Sequence, residues 1–224
     1  MSSRASIAHL SRANRWGTGV LCVDSLGRNL RERCAPTIAL LMLAIGSSAC
    51  ASTIIPPLEV SDPQPVAVLD HGRHASLVLS TDRGAMIRYS YGDWNWYALI
   101  KTSVFRGAAA LFWPTQAGMG RRELEGPVSV ENIRQRVRVG SEEIFVIIVE
   151  RSRVDALREE LDSLFHKQIH TWHYNSAYDL EFVHHPKRYY AFHNSNQVVA
   201  GWLKELGCRV SGFGIFSDWK LKLP

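Results

Sequence analysis

Cysteine is scarce in this chain and lies where it cannot build a framework. Of the four cysteines, Cys22, Cys34 and Cys50 fall within residues 1–50, which leaves Cys208 alone in the rest. A single thiol forms no internal disulfide network and no cysteine-based zinc cluster. A membrane-length hydrophobic run is also lacking: APTIALLMLAIGSSAC, at 35–50, is uncharged but too short for a comfortable span. Nor is there a large charge excess outside the N-terminal segment. Arg4, Arg12, Arg15, Arg28, Arg31 and Arg33 against Asp24 and Glu32 give residues 1–49 a net charge of +4, out of +5 for the whole chain. The remainder is close to neutral, so no basic face is left to recognise nucleic acid. Internal repeats and low-complexity tracts are absent too.

What is present begins with an export pattern. An arginine-rich region, a short apolar core and a run of small residues, in that order over residues 1–50, read as a secretory signal. The closing SSAC resembles a bacterial lipoprotein cleavage site with Cys50 as the lipidated residue, although Ser47 stands where a leucine is usual. The expectation is an exported protein, periplasmic or held at the membrane of a bacterial envelope by a lipid on Cys50 or by an uncleaved signal anchor. ASTIIPPLEVSDPQP, residues 51–65, carries four prolines and reads as a tether. Residues 66–224 then form the globular domain, long enough to bury a core without staples.

Periodicity within that domain alternates between short strands and helices. Residues 66–81 read as two strand-like stretches interrupted at 70–73, and AMIRYSYGDWNWY (85–97) as the next strand. An apolar helix is expected over 98–113, ending at Pro114, followed by a glycine-rich loop over 114–127. EEIFVIIVE (142–150) is a β-branched strand. Ser152 then caps a helix with Leu157, Leu161, Leu164 and Phe165 on one stripe. A loop rich in aromatics and histidine (170–187) leads to a short strand RYYAFH and a final helix ending at Gly207. This order predicts an α+β fold with a mainly antiparallel sheet and packed helices.

The chemistry-bearing candidates are His74, on an early strand, and Ser195, where the polar knot His193-Asn194-Ser195-Asn196 opens the last helix. A nucleophile at a helix N-terminus gains from the macrodipole and from free backbone N–H groups that can hold an oxyanion. An imidazole can take its proton if a third group, here Asp93, Asn95, Tyr89 or Tyr91, fixes the tautomer. The same residues support a plainer reading, in which Asn194 or Ser195 caps the helix and His74 is a hydrogen-bonded strand-end histidine. Spacing alone leaves both open. The aromatic cluster Trp94, Trp96, Tyr97, Phe112 and Trp113 reads as core or cleft wall, with a sugar- or lipid-facing cleft as the alternative. His166 and His170 are at helical spacing but near a helix end, with no companion glutamate, so neither a metal nor a cofactor is expected.

HGRHASLVL, YSYGDWNWY, ALFWP and FHNSNQVVAGWLKELG together resemble a bacterial envelope family classed as domain of unknown function 2459. That family looks like a distant, circularly permuted relative of the NlpC-type papain-like hydrolases, to which lecithin:retinol acyltransferase also belongs. The similarity covers roughly residues 66–218. It implies a histidine first, on a strand, and a cysteine late, at a helix start. His74 and Asn196 match that pattern, whereas the nucleophile position carries Ser195. A thiol can be pushed to thiolate beside an imidazolium, but a hydroxyl cannot and needs true general-base catalysis. Cys208 lies at the far end of the helix, about 20 Å away at 1.5 Å per residue, and offers no substitute. The resemblance therefore implies a papain-like cleft, with Asn194, Asn196 and Trp94 lining it, that binds a peptidoglycan peptide, a lipid or a partner with little or no catalysis. The alternative it implies is an active amidase, esterase or acyltransferase using Ser195, His74 and Asp93.

Overall fold

The structure, a computed structural model, describes residues 51–100, 113–212, 214 and 217–223. Seven strands form one sheet: β2 (Pro63–Asp70), β3 (Ala75–Ser80), β4 (Met86–Asp93), β5 (Thr115–Leu124), β6 (Glu143–Glu150), β7 (His173–Asn175) and β8 (Leu180–Tyr189). Their spatial order is β6-β2-β3-β4-β5-β8-β7, and every neighbouring pair is antiparallel. A smaller sheet joins β1 (Ser52–Ile55) to β9 (Arg209–Ser211) and, in parallel, to β10 (Trp219–Leu221). The helices are α1 (Val130–Arg136), α2 (Arg151–Lys167) and α3 (Ser195–Glu205), with one π-turn at Trp94–Ala98. The expected α+β class with a mainly antiparallel sheet is what forms. None of the described helices is long and apolar enough to cross a membrane.

Period-two alternation divides the large sheet into two working faces. Val66 and Val68, Leu77 and Leu79, Ile87, Tyr89 and Tyr91 point into the main core, which α2 closes with Val154, Leu157, Leu161 and Phe165 and α3 closes with Val199, Trp202 and Leu203. The alternate residues Ala67, Leu69, Val78 and Met86 face the other way and pack with Ile133 of α1. On that same side, further along the sheet, Leu180 and Phe182 of β8 pack against the π-turn. A polar clasp fastens α2 to the sheet: the Tyr89 hydroxyl and Arg121 Nε both donate to Asp162 Oδ1, each at 2.7 Å.

Several sequence expectations change for physical reasons. Residues 51–65, read as a tether, supply β1 and the start of β2. Pro63 and Pro65 are accommodated because pairing with β3 begins only at Val66, so here β2 has a neighbour on one side alone. The glycine-rich 114–127 segment is not a loop but holds β5, an interior strand of the sheet. Its glycines are there for space, since a Cβ on Gly120 would lie 2.9 Å from Phe182 Cε1, and one on Gly118 would lie 3.1 Å from Trp94 Cε3. Residues 170–187 likewise form β7 and most of β8, while Tyr190–His193 is a turn closed by two backbone hydrogen bonds. The helix expected from Ser152 begins at Arg151, and Glu150 precedes it without a side-chain cap, its carboxylate accepting instead from the Ser61 and Asp62 backbone N–H groups. Of the helix expected over 98–113, Ala98 belongs to the π-turn, and residues 101–112 lie outside the described set.

α3 ends as its sequence suggests. Gly207 takes φ 90°, its N–H bonds to Lys204 O, and Cys208 N–H bonds to Leu203 O, a Schellman closure.

The π-turn lies on the sheet only because residue 92 is glycine: a Cβ there would meet Tyr97 Cδ2 at 2.3 Å. Gly92→Ala should displace Tyr97 and cost about 1–3 kcal/mol, the usual range for overpacking. Chemical denaturation of the two proteins measures this.

Candidate functional site

His74 sits in the connection between β2 and β3, immediately before Ala75. Its ring stacks on His71 at 4.5 Å between centroids and lies 5.0 Å from Tyr97 and 6.5 Å from Tyr178. These groups open into a cavity of about 370 Å³, which Arg73, Trp96 and Glu142 also line. Tyr97 packs over Gly92, which alternates along β4 with Tyr91 of the main core. The cavity therefore lies on the face of the sheet away from α3.

His71 organises the floor of this site. Its Nδ1 is 2.9 Å from Gly140 O, and its Nε2 is 3.0 Å from Ser76 Oγ and 3.2 Å from Arg88 Nη2. Arg88 can only donate and a carbonyl can only accept, so His71 carries its proton on Nδ1 and accepts at Nε2. Burial, reinforced by the Arg88 guanidinium, lowers its pKa to about 4. Burial also pushes His74 well below the ordinary histidine range, with His71 and Arg88 acting in the same sense. Both imidazoles are neutral near pH 7. Among the described residues no hydrogen bond reaches the His74 ring, so it faces the cavity with one nitrogen able to donate and one able to accept. His71, Tyr178 and Glu142 escaped the sequence reading; the repeated histidine of HGRH was the one signal, since a tight turn brings residues three apart together.

Ser195 lies elsewhere. It is the first residue of α3 and only 2% exposed. Asn194 is the cap: its Oδ1 accepts from Gln197 N–H at 3.0 Å, while its Nδ2 donates to Ala191 O and Gly214 O. Asn196 is equally buried, and its Oδ1 has no hydrogen-bond partner among the described residues. No hydrogen bond joins Ser195 to His74. The imidazoles on the α3 face of the sheet are His185 and His193, both edge-on to Tyr91, at 4.9 and 5.2 Å. The Tyr91 hydroxyl donates to Arg188 O at 3.0 Å and lies 2.8 Å from His193 Nδ1.

Asp93 does not orient His74 either. Its Oδ1 accepts from Trp96 N–H at 2.8 Å and its Oδ2 accepts from the Thr115 hydroxyl, so it starts the π-turn and ties it to β5. Trp94 packs edge-on against His184 at 4.3 Å, and it is Trp96 and Tyr97 that reach the cavity. Cys50 lies outside the described residues. Cys208 is buried, and burial raises its thiol pKa to about 11, which fits a packing role. Among the described residues, no three His, Cys, Asp or Glu side chains are grouped to hold a metal ion. No protein family, curated protein or solved structure matches this chain.

Two measurements follow. Asn194→Ala removes the cap and two further hydrogen bonds and should cost about 2 kcal/mol, whereas Ser195→Ala should cost less than about 0.5 kcal/mol; urea unfolding separates them. The second concerns acid. His71 and the buried His185 both have pKa values lowered to about 4, in each case chiefly by burial. Unfolding restores the ordinary value near 6.5, so the unfolded chain takes up protons between pH 6.5 and 4. Their contribution is whole above that window and is lost as pH falls through it. Stability at about pH 5 should be lower by roughly 1–2 kcal/mol per histidine than at about pH 7.5, and His71→Gln and His185→Gln should each flatten that slope.

Proposed function

We propose that this chain is an exported cell-envelope domain of the circularly permuted papain-like type that binds a ligand rather than cleaving one. The ligand, a cell-wall peptide, a lipid or a partner segment, sits against His74 in the cavity shared with His71, Tyr97 and Tyr178. One observation carries the reading: Ser195 is buried at the start of α3 on one face of the sheet, while the His74 imidazole is packed on the other face. A hydroxyl needs a general base within hydrogen-bond reach to act as a nucleophile. The His74 side, by contrast, offers what recognition needs: aromatic walls, a neutral imidazole that both donates and accepts, and one side chain of each charge in Arg73 and Glu142. Export rests on the signal-like segment at residues 1–50, and membrane attachment on Cys50.

Intact-mass analysis after treatment with a fluorophosphonate tests this directly. The wild-type chain should carry no adduct. Ser195→Cys should react with a thiol-directed electrophile no faster than an ordinary buried cysteine, and equally with or without His74→Ala. An adduct on wild type that disappears in both Ser195→Ala and His74→Ala would overturn the reading and establish an amidase, esterase or acyltransferase built on that pair.

A further inference from the structure

Two guanidinium groups approach one carboxylate beside the cavity, and two more line the same cluster. Arg122 of β5 and Arg138, just beyond α1, face Asp179; Arg88 of β4 and Arg136 at the end of α1, whose Nη1 donates to Asn132 Oδ1, line the same cluster, and Tyr178 is a wall common to it and the His74 cavity. Alternation places Arg88 and Arg122 on the cavity side, since Tyr89 and Arg121, next to them in sequence, reach Asp162 of α2.

The carboxylate does not satisfy these cations. Arg122 Nη2 is 3.5 Å and Arg138 Nε is 3.7 Å from Asp179, against about 2.7–2.9 Å for a close charge-assisted contact. The shortest hydrogen bond to Asp179 comes from the neutral Tyr174 hydroxyl, at 2.7 Å. Arg88 is 2% exposed, and its hydrogen-bond partners are the uncharged Ser76 Oγ and His71 Nε2. Among the described residues, Arg122 Nε is buried with no hydrogen-bond partner. A buried cation without matching anionic oxygens is costly, and guanidinium donors fit tetrahedral oxyanions in paired contacts. Burial accordingly pulls Arg88 down to about 10 despite the opposing pull of Asp179. As the cluster stands, Asp179 fills it and leaves no room for a water-sized group. Asp179 also holds a left-handed backbone, φ 48°, in the turn entering β8, a conformation that aspartate tolerates better than most residues other than glycine.

We propose that this arginine cluster binds a tetrahedral oxyanion, the phosphate of an anionic ligand, and that Asp179 is an internal anion which the phosphate displaces. Arg88 is the fixed floor. Arg138, whose side chain is 70% exposed, and Arg122, at 37%, are the wall that yields. A ligand with a phosphate here can extend past Tyr178 into the cavity at His74. The proposal does not depend on the state of Ser195: a fluorophosphonate adduct would sink the binding-only reading and leave the phosphate site untouched.

Isothermal titration of the full chain with inorganic phosphate, alongside thermal unfolding, decides the matter. Wild type should bind saturably. Arg122→Gln and Arg138→Gln should each weaken binding about tenfold, the worth of one charge-assisted hydrogen bond. Asp179→Asn should tighten it by removing the competitor. No saturable binding by wild type or by Asp179→Asn overturns the proposal, as does binding indifferent to both arginine substitutions. So does an Asp179→Asn protein that loses thermal stability and gains no phosphate affinity, because the arginines would then serve Asp179 alone. Vesicles of phosphatidylcholine with and without phosphatidic acid separate the sources. Capture by phosphatidic acid that phosphate reverses and Arg122→Gln abolishes identifies a lipid headgroup; phosphate binding without capture identifies a soluble phosphate ester.

Discussion

Strand β4 is buried along its whole length, and the alternation of its side chains governs everything built around it. Ile87, Tyr89 and Tyr91 enter the core beneath α2 and α3. Arg88, Ser90 and Gly92 face the other way, beneath the π-turn and beside the arginines. A one-residue slip would exchange the two sets and place a guanidinium in the helix-covered core, so the register has no tolerance. Because β3 pairs with β4 at Ser76–Ser90 and Leu77–Tyr89, the same division extends to the connection carrying His74. Which chemistry meets which is thus settled by strand parity.

The two faces solve their electrostatics differently. On the α2 side the charges are matched: Arg121 and the Tyr89 hydroxyl converge on one Asp162 oxygen. On the other side the buried cation Arg88 leans on a hydroxyl and an imidazole held neutral by that same arrangement. His71 can accept from Arg88 only while it stays unprotonated, and the two conditions agree: burial first, and then the Arg88 cation, suppress the imidazolium, and the free lone pair satisfies one guanidinium donor. His74, stacked on His71, is held neutral chiefly by its own burial, with His71 and Arg88 acting in the same sense. The cavity is in consequence polar but hardly charged at its base, while positive charge accumulates one residue away, past Tyr178.

Much of the fold was legible in the sequence. The strands over 66–80, 86–93 and 143–150 carried β-branched or alternating runs, and α2 carried a stripe whose Leu157, Leu161 and Phe165 are buried as the spacing implied. What failed were segments in which a local signal had a non-local cause. Gly118 and Gly120 suggested a loop, but they are small because Trp94 and Phe182 arrive from elsewhere in the chain. The histidines and aromatics of 170–187 suggested an irregular loop, yet they belong to a strand pair whose burial only tertiary contacts reveal. The site was half legible. His74 does line a cavity and Asn194 does cap a helix, but no spacing rule could tell on which face of the sheet the imidazole emerges. The arginine cluster was invisible, because its members are scattered between residues 88 and 138 and meet only around Asp179.

The start of α3 shows how the capping of a helix can rest on one residue and leave the next without a polar task. Asn194 does the capping and ties the turn at Ala191 and the segment at Gly214 to the helix. Ser195 makes no hydrogen bond that the helix needs, so its side chain is answerable to packing alone. A helix N-terminus favours an anion once formed, but the macrodipole contributes only about 0.3–1 kcal/mol at an ordinary site. That is far short of what deprotonating a hydroxyl near neutral pH demands. Only an imidazole within hydrogen-bond reach on the same face could supply the difference, and His193, on that face, holds Nδ1 at the Tyr91 hydroxyl and the Arg188 carbonyl with no hydrogen bond to Ser195. The same parity that packs Tyr91 beneath α3 sends His74 to the opposite side. The His74 imidazole and Ser195 are in this way kept on opposite faces of the sheet.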